Sequence, residues 1–306
     1  MLLVVLVTVV AVAAGVGAEH RSGAAAQRLS RRLLDVMLYA LLPFAAFFLI
    51  ADLEFTAGAR AGIAVAYAEL AVVGLTAYLI ATEVLRLSRP AVGAVITTVV
   101  MANTGYLGLP LSVAVLGREA LGEALAWDTL VSAPVFLLAG FAIGAVFGDD
   151  AGAGARERLR AFVIRNPPLL ATAAGLLAPD ALAPPALVEV AQLMIFGLLP
   201  VGFFVLGVNL AAEAEEGAVR FPPPFTRPLA VIMGLRLVLA PALVLAASVL
   251  VVDLPDPYLL QAAMPSGVNA LVVAHAYGLD LRLTSAAIAW TTAVVIATAT
   301  VGAAVA

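Results

Sequence analysis

Three ionisable side chains lie within long apolar stretches of the sequence: Glu69 and Arg236 lie deep within theirs, and Asp128 lies early in its own. A charge inside a lipid bilayer is costly, so such residues are functional candidates by default. One hypothesis is that Glu69 and Asp128 carry a coupling proton or help to bind Na⁺. Arg236 keeps its proton at any workable pH, so it would replace a cation by a permanent charge or pair with one of the acids. The alternative is a structural ion pair.

Two further stretches combine Asn, Gly and Pro: Asn103-Thr104-Gly105-Tyr106-Leu107-Gly108-Leu109-Pro110 and Met264-Pro265-Ser266-Gly267-Val268-Asn269. Proline removes a backbone donor and glycine permits an unwound backbone. In a membrane, the freed backbone groups must line a cavity or be buried in protein. Because proline suits the first turn of a helix, Pro110 and Pro265 are expected to begin the second half of each interrupted helix.

The start of such a half-helix offers free N–H groups and a positive partial charge to a carboxylate. The side chains of Asn103 and Asn269 can add hydrogen bonds there. The sequence therefore predicts a substrate site made by both stretches: Asn103, Thr104, Gly105, Pro110, Pro265, Ser266, Asn269. A pair of ordinary proline kinks is the alternative, but two interruptions in corresponding positions favour the binding site.

The elements that must hold these residues are apolar runs. The chain has 306 residues, of which 64% are hydrophobic and 12% charged, whereas about a quarter of the residues in a soluble domain are charged. A spanning helix needs about 20 mostly apolar residues. Ten such runs are present: 1–18, 31–51, 61–83, 90–116, 121–147, 162–178, 186–211, 228–252, 257–277, 283–305. The fold class is therefore all-α, an integral membrane protein of ten transmembrane helices in the lipid bilayer.

The arginines predict the orientation. All sixteen basic residues are arginines, and if the N-terminus lies outside, thirteen fall in inner loops and two in outer loops. Positive residues are retained on the cytoplasmic side, so both termini should face outward. The expected location is the cell (plasma) membrane, which the chain would cross several times. No basic residue precedes the apolar run 1–18, unlike in a signal peptide, so this run is interpreted as the first transmembrane helix.

The chain also repeats itself about its midpoint. The segments 41–49 and 198–206 share Leu, Leu, Pro, Phe and Leu at a constant offset, and the only two tryptophans, Trp127 and Trp290, lie in the fifth and tenth runs. Five helices in each half make the second half start from the opposite side of the membrane. We predict a first inverted repeat at 1–148, a cytoplasmic linker at 149–161 and a second repeat at 162–306. Inverted repeats are typical of secondary transporters, although some channels have them, so a passive channel is an alternative.

The two interrupted stretches resemble the signature motifs of the auxin efflux carrier family, which includes plant PIN carriers and bacterial malate or malonate permeases. The resemblance covers essentially the whole chain, and the short central loop is like that of the bacterial members. It implies a fold similar to bile-acid/sodium symporters and sodium/proton antiporters. In that fold a scaffold domain (helices 1, 2, 6 and 7) faces a transport domain (helices 3–5 and 8–10).

The same resemblance implies that helices 4 and 9 cross at the substrate, with Asn103, Pro110, Pro265 and Asn269 at the crossover. It also implies elevator-type alternating access and a homodimer through the scaffold domain. The long cytoplasmic loop of the plant carriers is absent, so nothing points to auxin itself.

Several function classes are disfavoured by what the sequence lacks. It has no cysteine, only two histidines far apart, and no HExxH, GxSxG or P-loop pattern, so an intramembrane enzyme, a metal centre and ATP-driven pumping are not expected. We predict a secondary transporter of a small organic anion, either coupled to Na⁺ or H⁺ or driven only by the membrane potential. No cofactor other than such a coupling ion and no nucleic-acid partner are expected. A sodium-coupled bile-acid-type symporter is the alternative.

Overall fold

The structure, a computed structural model, describes residues 2–52, 56–148, 167–215 and 223–305. Over these ranges the chain is almost wholly helical and contains no β-strand. The α-helices are α1 Leu2–Val36, α2 Leu42–Ala51, α3 Ala57–Leu79, α4 Arg89–Val100, α5 Leu109–Leu116, α6 Leu121–Trp127, α7 Phe141–Phe147, α8 Pro167–Leu177, α9 Pro185–Glu215, α10 Arg227–Gly234, α11 Ala240–Leu250, α12 Asp256–Ala262, α13 Asn269–Tyr277 and α14 Leu281–Val305.

Wider π-helical turns extend or join several of these helices. They are Met37–Leu41, Ile80–Val84, Thr104–Gly108, Asp128–Ser132, Val135–Gly140 and Leu235–Leu239. Short 3₁₀ turns occupy Arg118–Ala120 and Asp180–Leu182. The predicted apolar runs are helical over most of their described residues, with breaks at 101–103 in the fourth run and at 263–268 in the ninth. The predicted linker 149–161 lies outside the described residues.

The boundary between the first two predicted runs differs from expectation. Helix α1 continues past residue 18 and is interrupted only at Gly23, whose backbone (φ 23°, ψ −96°) is not helical. A positive φ is readily adopted only by a residue without a Cβ. A single glycine therefore makes the bend where a loop was expected.

Three helical segments within the described residues are long and apolar enough to cross a membrane: Ala57–Val84, Arg227–Leu250 and Leu281–Val301. The first two begin in the same way, because the side-chain oxygens of Thr56 and Thr226 accept the N–H groups of Ala59 and Leu229 at 3.0 and 3.4 Å. Such N-caps satisfy backbone donors that have no partner within the helix. The total of ten spans and the inverted repeat remain predictions.

One group of helices packs through glycines. Helix α1 lies along α9, and α2 lies along α8. Gly15 and Gly207 bring the backbones of α1 and α9 into contact, and a Cβ at Gly175 would lie 2.8 Å from the carbonyl oxygen of Phe47 in α2. Small residues at helix contacts allow the close approach on which packing in membranes depends.

The second group of helices surrounds the interrupted stretches. Its apolar core joins α3, α4, α10, α13 and α14, where Val73, Val95, Ile232, Ala274 and Ile288 are at most 1% exposed. This core holds the two interrupted helical paths, α4–α5 and α12–α13, against each other.

Candidate functional site

The two interruptions pair with each other. Ala102 and Ser266 form an isolated antiparallel bridge. The N–H of Asn103 donates to the carbonyl of Pro265 at 2.8 Å, and the N–H of Gly267 donates to the carbonyl of Met101 at 2.6 Å. Backbone groups freed by each break are therefore satisfied by the other break, as membrane burial requires.

Glycine is needed at one point of this bridge. A Cβ on Gly267 would lie 2.9 Å from the carbonyl oxygen of Ala102 and 3.2 Å from that of Met101. These distances are shorter than ordinary van der Waals contacts, so any larger residue would push the two segments apart.

Neither proline acts quite as expected. The helical path after the first break resumes at Thr104, so Pro110 lies within the following helix, as the second residue of α5. The second path resumes at Asn269, and Pro265 lies within the break, where its carbonyl accepts a hydrogen bond. The expectation that Pro265 begins a half-helix is therefore wrong: Asn269 begins it.

Ser266 is fully buried and is bonded within the protein. Its hydroxyl donates to the carbonyl of Thr98 at 2.8 Å, and its N–H donates to the hydroxyl of Thr291 at 3.1 Å. Thr291 in turn donates to the carbonyl of Ala287 at 2.7 Å. These bonds fix the second break between α4 and α14.

Asn103 carries an unused donor at the bridge. The side chain is 3% exposed, and its Nδ2 has no hydrogen-bond partner. The backbone carbonyl of Asn103 accepts the N–H of Gly108 at 3.0 Å, which closes the first turn after the break. An unsatisfied buried amide costs about 1–3 kcal/mol, so a ligand that accepts this N–H would recover that energy. Asn269 is partly exposed at the start of the other half-helix.

Asp128 lies beside the first of these half-helix starts. The hydroxyl of Thr104 donates to Oδ1 of Asp128 at 2.5 Å. A Cβ on Gly105 would lie 3.3 Å from the same oxygen, so the carboxylate packs against the glycine backbone. The structure thus brings Thr104, Gly105 and Asp128 together, although they come from two separate stretches of sequence.

Tyr106 connects this turn to the other helix group. Its ring packs over Gly202 of α9, where a Cβ would lie 2.8 Å from Cδ1 of the ring. The phenol also interacts electrostatically with Asp128. Sequence reasoning did not single out Tyr106, although its place inside the first interrupted stretch was a signal that could have done so.

Arg236 is hydrogen-bonded to the helix ends that lead into the two interruptions. The guanidinium donates from Nη1 to the carbonyl of Val99 at 3.0 Å and from Nη2 to the carbonyl of Ala262. The side chain is 1% exposed. Glu69, which is 3% exposed, interacts electrostatically with it, although no direct ion pair joins these two described residues.

Gln261 is a second residue that sequence reasoning missed. It is fully buried next to Gly108, where a Cβ would overlap the Gln261 amide, and its Nε2 donates to the carbonyl of Ala124 at 3.3 Å. The side-chain oxygen Oε1 has no partner. Its side-chain amide inside an apolar run was the sequence feature that could have indicated it.

Long apolar helices, interrupted helices that satisfy each other's backbone, and buried charges beside the interruptions together define a helical membrane protein with a polar site inside it. Comparison with known proteins shows which kind. The family model described as "Membrane transport protein" matches residues 168–302. An uncharacterised transporter from Methanocaldococcus jannaschii is 26% identical over 229 residues, which cover 72% of this chain and 70% of the relative.

Residues 168–302 are thus similar to this family of membrane transport proteins, and most of the chain is similar to the Methanocaldococcus jannaschii transporter. The matched residues include the second interrupted stretch, and the resemblance inferred from the motifs is confirmed. These similarities indicate transport rather than enzymatic chemistry.

Proposed function

We propose that the protein is a secondary transporter that carries a small organic anion, a carboxylate, through a site at the paired interruptions. The observation that carries the proposal is the buried Nδ2 of Asn103, a donor without a partner at the start of a half-helix. A carboxylate oxygen is the strongest common acceptor for such a donor. Half-helix starts facing anionic substrate groups are typical of transporters with interrupted helices.

The second half-helix start supports the same substrate class. Helix α13 begins at Asn269, on the bridge side of the break. The N–H groups of Ala270 and Leu271 already donate to the carbonyls of Gly267 and Val268 at 3.0 and 2.9 Å, so the side chain of Asn269 and the helix dipole are what this end offers an anion. The N-terminus of a helix carries about half a positive charge. We assign Asn103, Thr104, Gly105 and Asn269 to direct contact with the anion, whereas Ser266 and Pro265 would act by fixing the bridge.

The position of Asp128 supports coupling of anion transport to a cation. Its carboxylate lies at the first half-helix start, so an ionised Asp128 would repel a substrate carboxylate nearby. Binding a proton or Na⁺ at Asp128 would remove that repulsion. We therefore propose that Asp128 links the anion to a coupling ion, while Glu69 sets the charge around Arg236.

The contacts between helix groups fit alternating access between two inverted halves. In the predicted repeats, α1 corresponds to α8 and α2 to α9. Exchanging the two halves therefore turns the contact of α1 with α9 into the contact of α8 with α2, and both contacts are present. These four helices would form the scaffold, and the helices that carry the bridge would form the moving domain. Tyr106 over Gly202 would then be a contact across the sliding surface.

The experiment is electrical recording from proteoliposomes on a solid-supported membrane. The panel comprises malate, malonate, succinate, indole-3-acetate and taurocholate, each with and without Na⁺ and a pH gradient. A saturable current for one acid, lost in Asn103→Ala/Asn269→Ala but kept in Thr76→Ala, would support the proposal. Thr76 is a suitable control because its hydroxyl bonds only its own helix, to Val72.

The alternatives give different results in the same recordings. Current only with taurocholate and Na⁺ would favour a bile-acid-type symporter. Flux without saturation or counterflow would indicate a passive channel. No response to any acid in folded protein would contradict the choice of substrate class.

A further inference from the structure

Arg236 binds backbone rather than a side-chain carboxylate. Its two hydrogen bonds go to the carbonyls of Val99 and Ala262, residues that are far apart in the sequence. The guanidinium thus joins two helical segments that the chain does not connect directly. Its third nitrogen, Nε, is buried without a partner.

Both carbonyls lie at helix C-termini. Helix α4 ends at Val100 and α12 ends at Ala262. The last carbonyls of a helix have no partner within it, and each C-terminus carries about half a negative charge. Two such ends meeting at the bridge therefore present about one negative charge, which Arg236 faces directly.

Glu69 adds a carboxylate on the neighbouring helix α3, without a direct ion pair to Arg236. It lies on the buried face of α3 with Ala66 and Val73, and its Oε1 has no hydrogen-bond partner. Helix α3 packs against the turn that carries Arg236, and the two charges interact. Two helix-end carbonyls and a carboxylate are the kind of oxygen set that coordinates Na⁺ in transporters with interrupted helices.

We propose that Arg236 occupies this oxygen set as a resident cation, so that the protein needs no Na⁺ at this position. Arg236 is then a positioning residue: it holds the ends of α4 and α12 together and keeps the bridge in register. The consequence for transport rests on the proposed function, but the occupancy of the oxygen set does not. Any Na⁺ dependence of transport would have to arise elsewhere, with Asp128 as the candidate.

The test is the thermal unfolding of purified full-length protein in detergent, in NaCl and in choline chloride of equal ionic strength. The wild-type Tm is expected to be the same in both salts. Arg236→Ala should lower the Tm in choline by roughly 10 °C, because it leaves a buried carboxylate uncompensated. Na⁺ or millimolar methylguanidinium should restore several degrees, since a ligand that binds only the folded state raises the Tm.

Three variants separate this role from a purely structural one. Arg236→Ala/Glu69→Gln should lose the Na⁺ response, because the carboxylate is gone. Arg236→Lys keeps the charge, so its Tm should exceed that of Arg236→Ala and should not respond to Na⁺. Arg282→Ala, at an exposed site, should match the wild type in both salts.

A wild-type Tm that rises specifically with Na⁺, and loses that rise in Glu69→Gln, would overturn the proposal even if Arg236→Ala could not be purified. Folded Arg236→Ala that responds to neither Na⁺ nor methylguanidinium would also overturn it. Absence of carboxylate transport in the wild type would contradict the proposed function and leave these melting temperatures unchanged.

Discussion

Replacing Gly267 by alanine tests whether the pairing of the two breaks holds the site together. The N–H of Gly267 donates to the carbonyl of Met101 at 2.6 Å, while the added Cβ would lie 2.9 Å from the carbonyl oxygen of Ala102. Both contacts are with backbone, which cannot rotate away as a side chain could. The two segments must therefore separate, and the hydrogen bond from Asn103 to Pro265 weakens with them.

The expected magnitude follows from these contacts. Two backbone hydrogen bonds contribute about 1 kcal/mol each, and overpacking a tight contact costs about 1–3 kcal/mol. Gly267→Ala should therefore lower the free energy of unfolding by about 3–5 kcal/mol, which corresponds to a Tm lower by roughly 5–15 °C. Carboxylate current should be lost as well, because Asn103 and Asn269 move relative to each other.

Gly234→Ala provides a matched control. Gly234 lies in α10, and a Cβ there would meet nothing within 4 Å. Alanine is about 1 kcal/mol better than glycine inside a helix, so the Tm should stay the same or rise. If Gly267→Ala unfolded at the wild-type temperature and carried wild-type current, the bridge would not be what orders the site.

Two further substitutions probe the neighbourhood of the bridge. Thr104→Val removes the 2.5 Å hydrogen bond to Asp128; because bonds to charged groups contribute about 1.5–3 kcal/mol, the variant should be less stable, and the Na⁺ or pH dependence of its current should change. An unchanged ion dependence would remove Asp128 from the coupling. Gly202→Ala places a Cβ 2.8 Å from the Tyr106 ring, so the rate of transport should fall while the half-saturating concentration stays the same. A wild-type rate would show that Tyr106 and Gly202 do not slide past each other during transport.

Much of the helical arrangement could be predicted because lipid burial leaves long apolar runs as a direct signal. Breaks near Asn103 and near Ser266 were predictable for the same reason, since Gly, Pro and Asn interrupt such runs. The contact between the breaks agrees with what the family resemblance implied, although the crossing of the two helices stays a prediction. The helical path through Gly23 was harder to foresee, because the segment around it carries Glu19, Arg21 and Arg28 and is typical of a loop between two spans.

Other parts of the site leave no trace in the pattern of residues. Arg236 was an obvious candidate, but its partners are backbone carbonyls of Val99 and Ala262, and backbone groups are the same at every position. The role of Pro265 was misjudged because proline fits both a first helical turn and an unwound segment. Only the tertiary contact with Asn103 distinguishes these two conformations.

The most direct test of the central claim is the replacement of Asn103 by aspartate, which keeps the shape of the side chain and exchanges its buried donor for an acceptor. The concentration dependence of the current would be measured for whichever carboxylate the wild type carries. If Asn103 Nδ2 binds the anion, losing a hydrogen bond to a charged group should raise the half-saturating concentration by about 10- to 100-fold or abolish the current. A folded Asn103→Asp protein with wild-type affinity for the carboxylate would contradict the placement of the substrate at the paired interruptions.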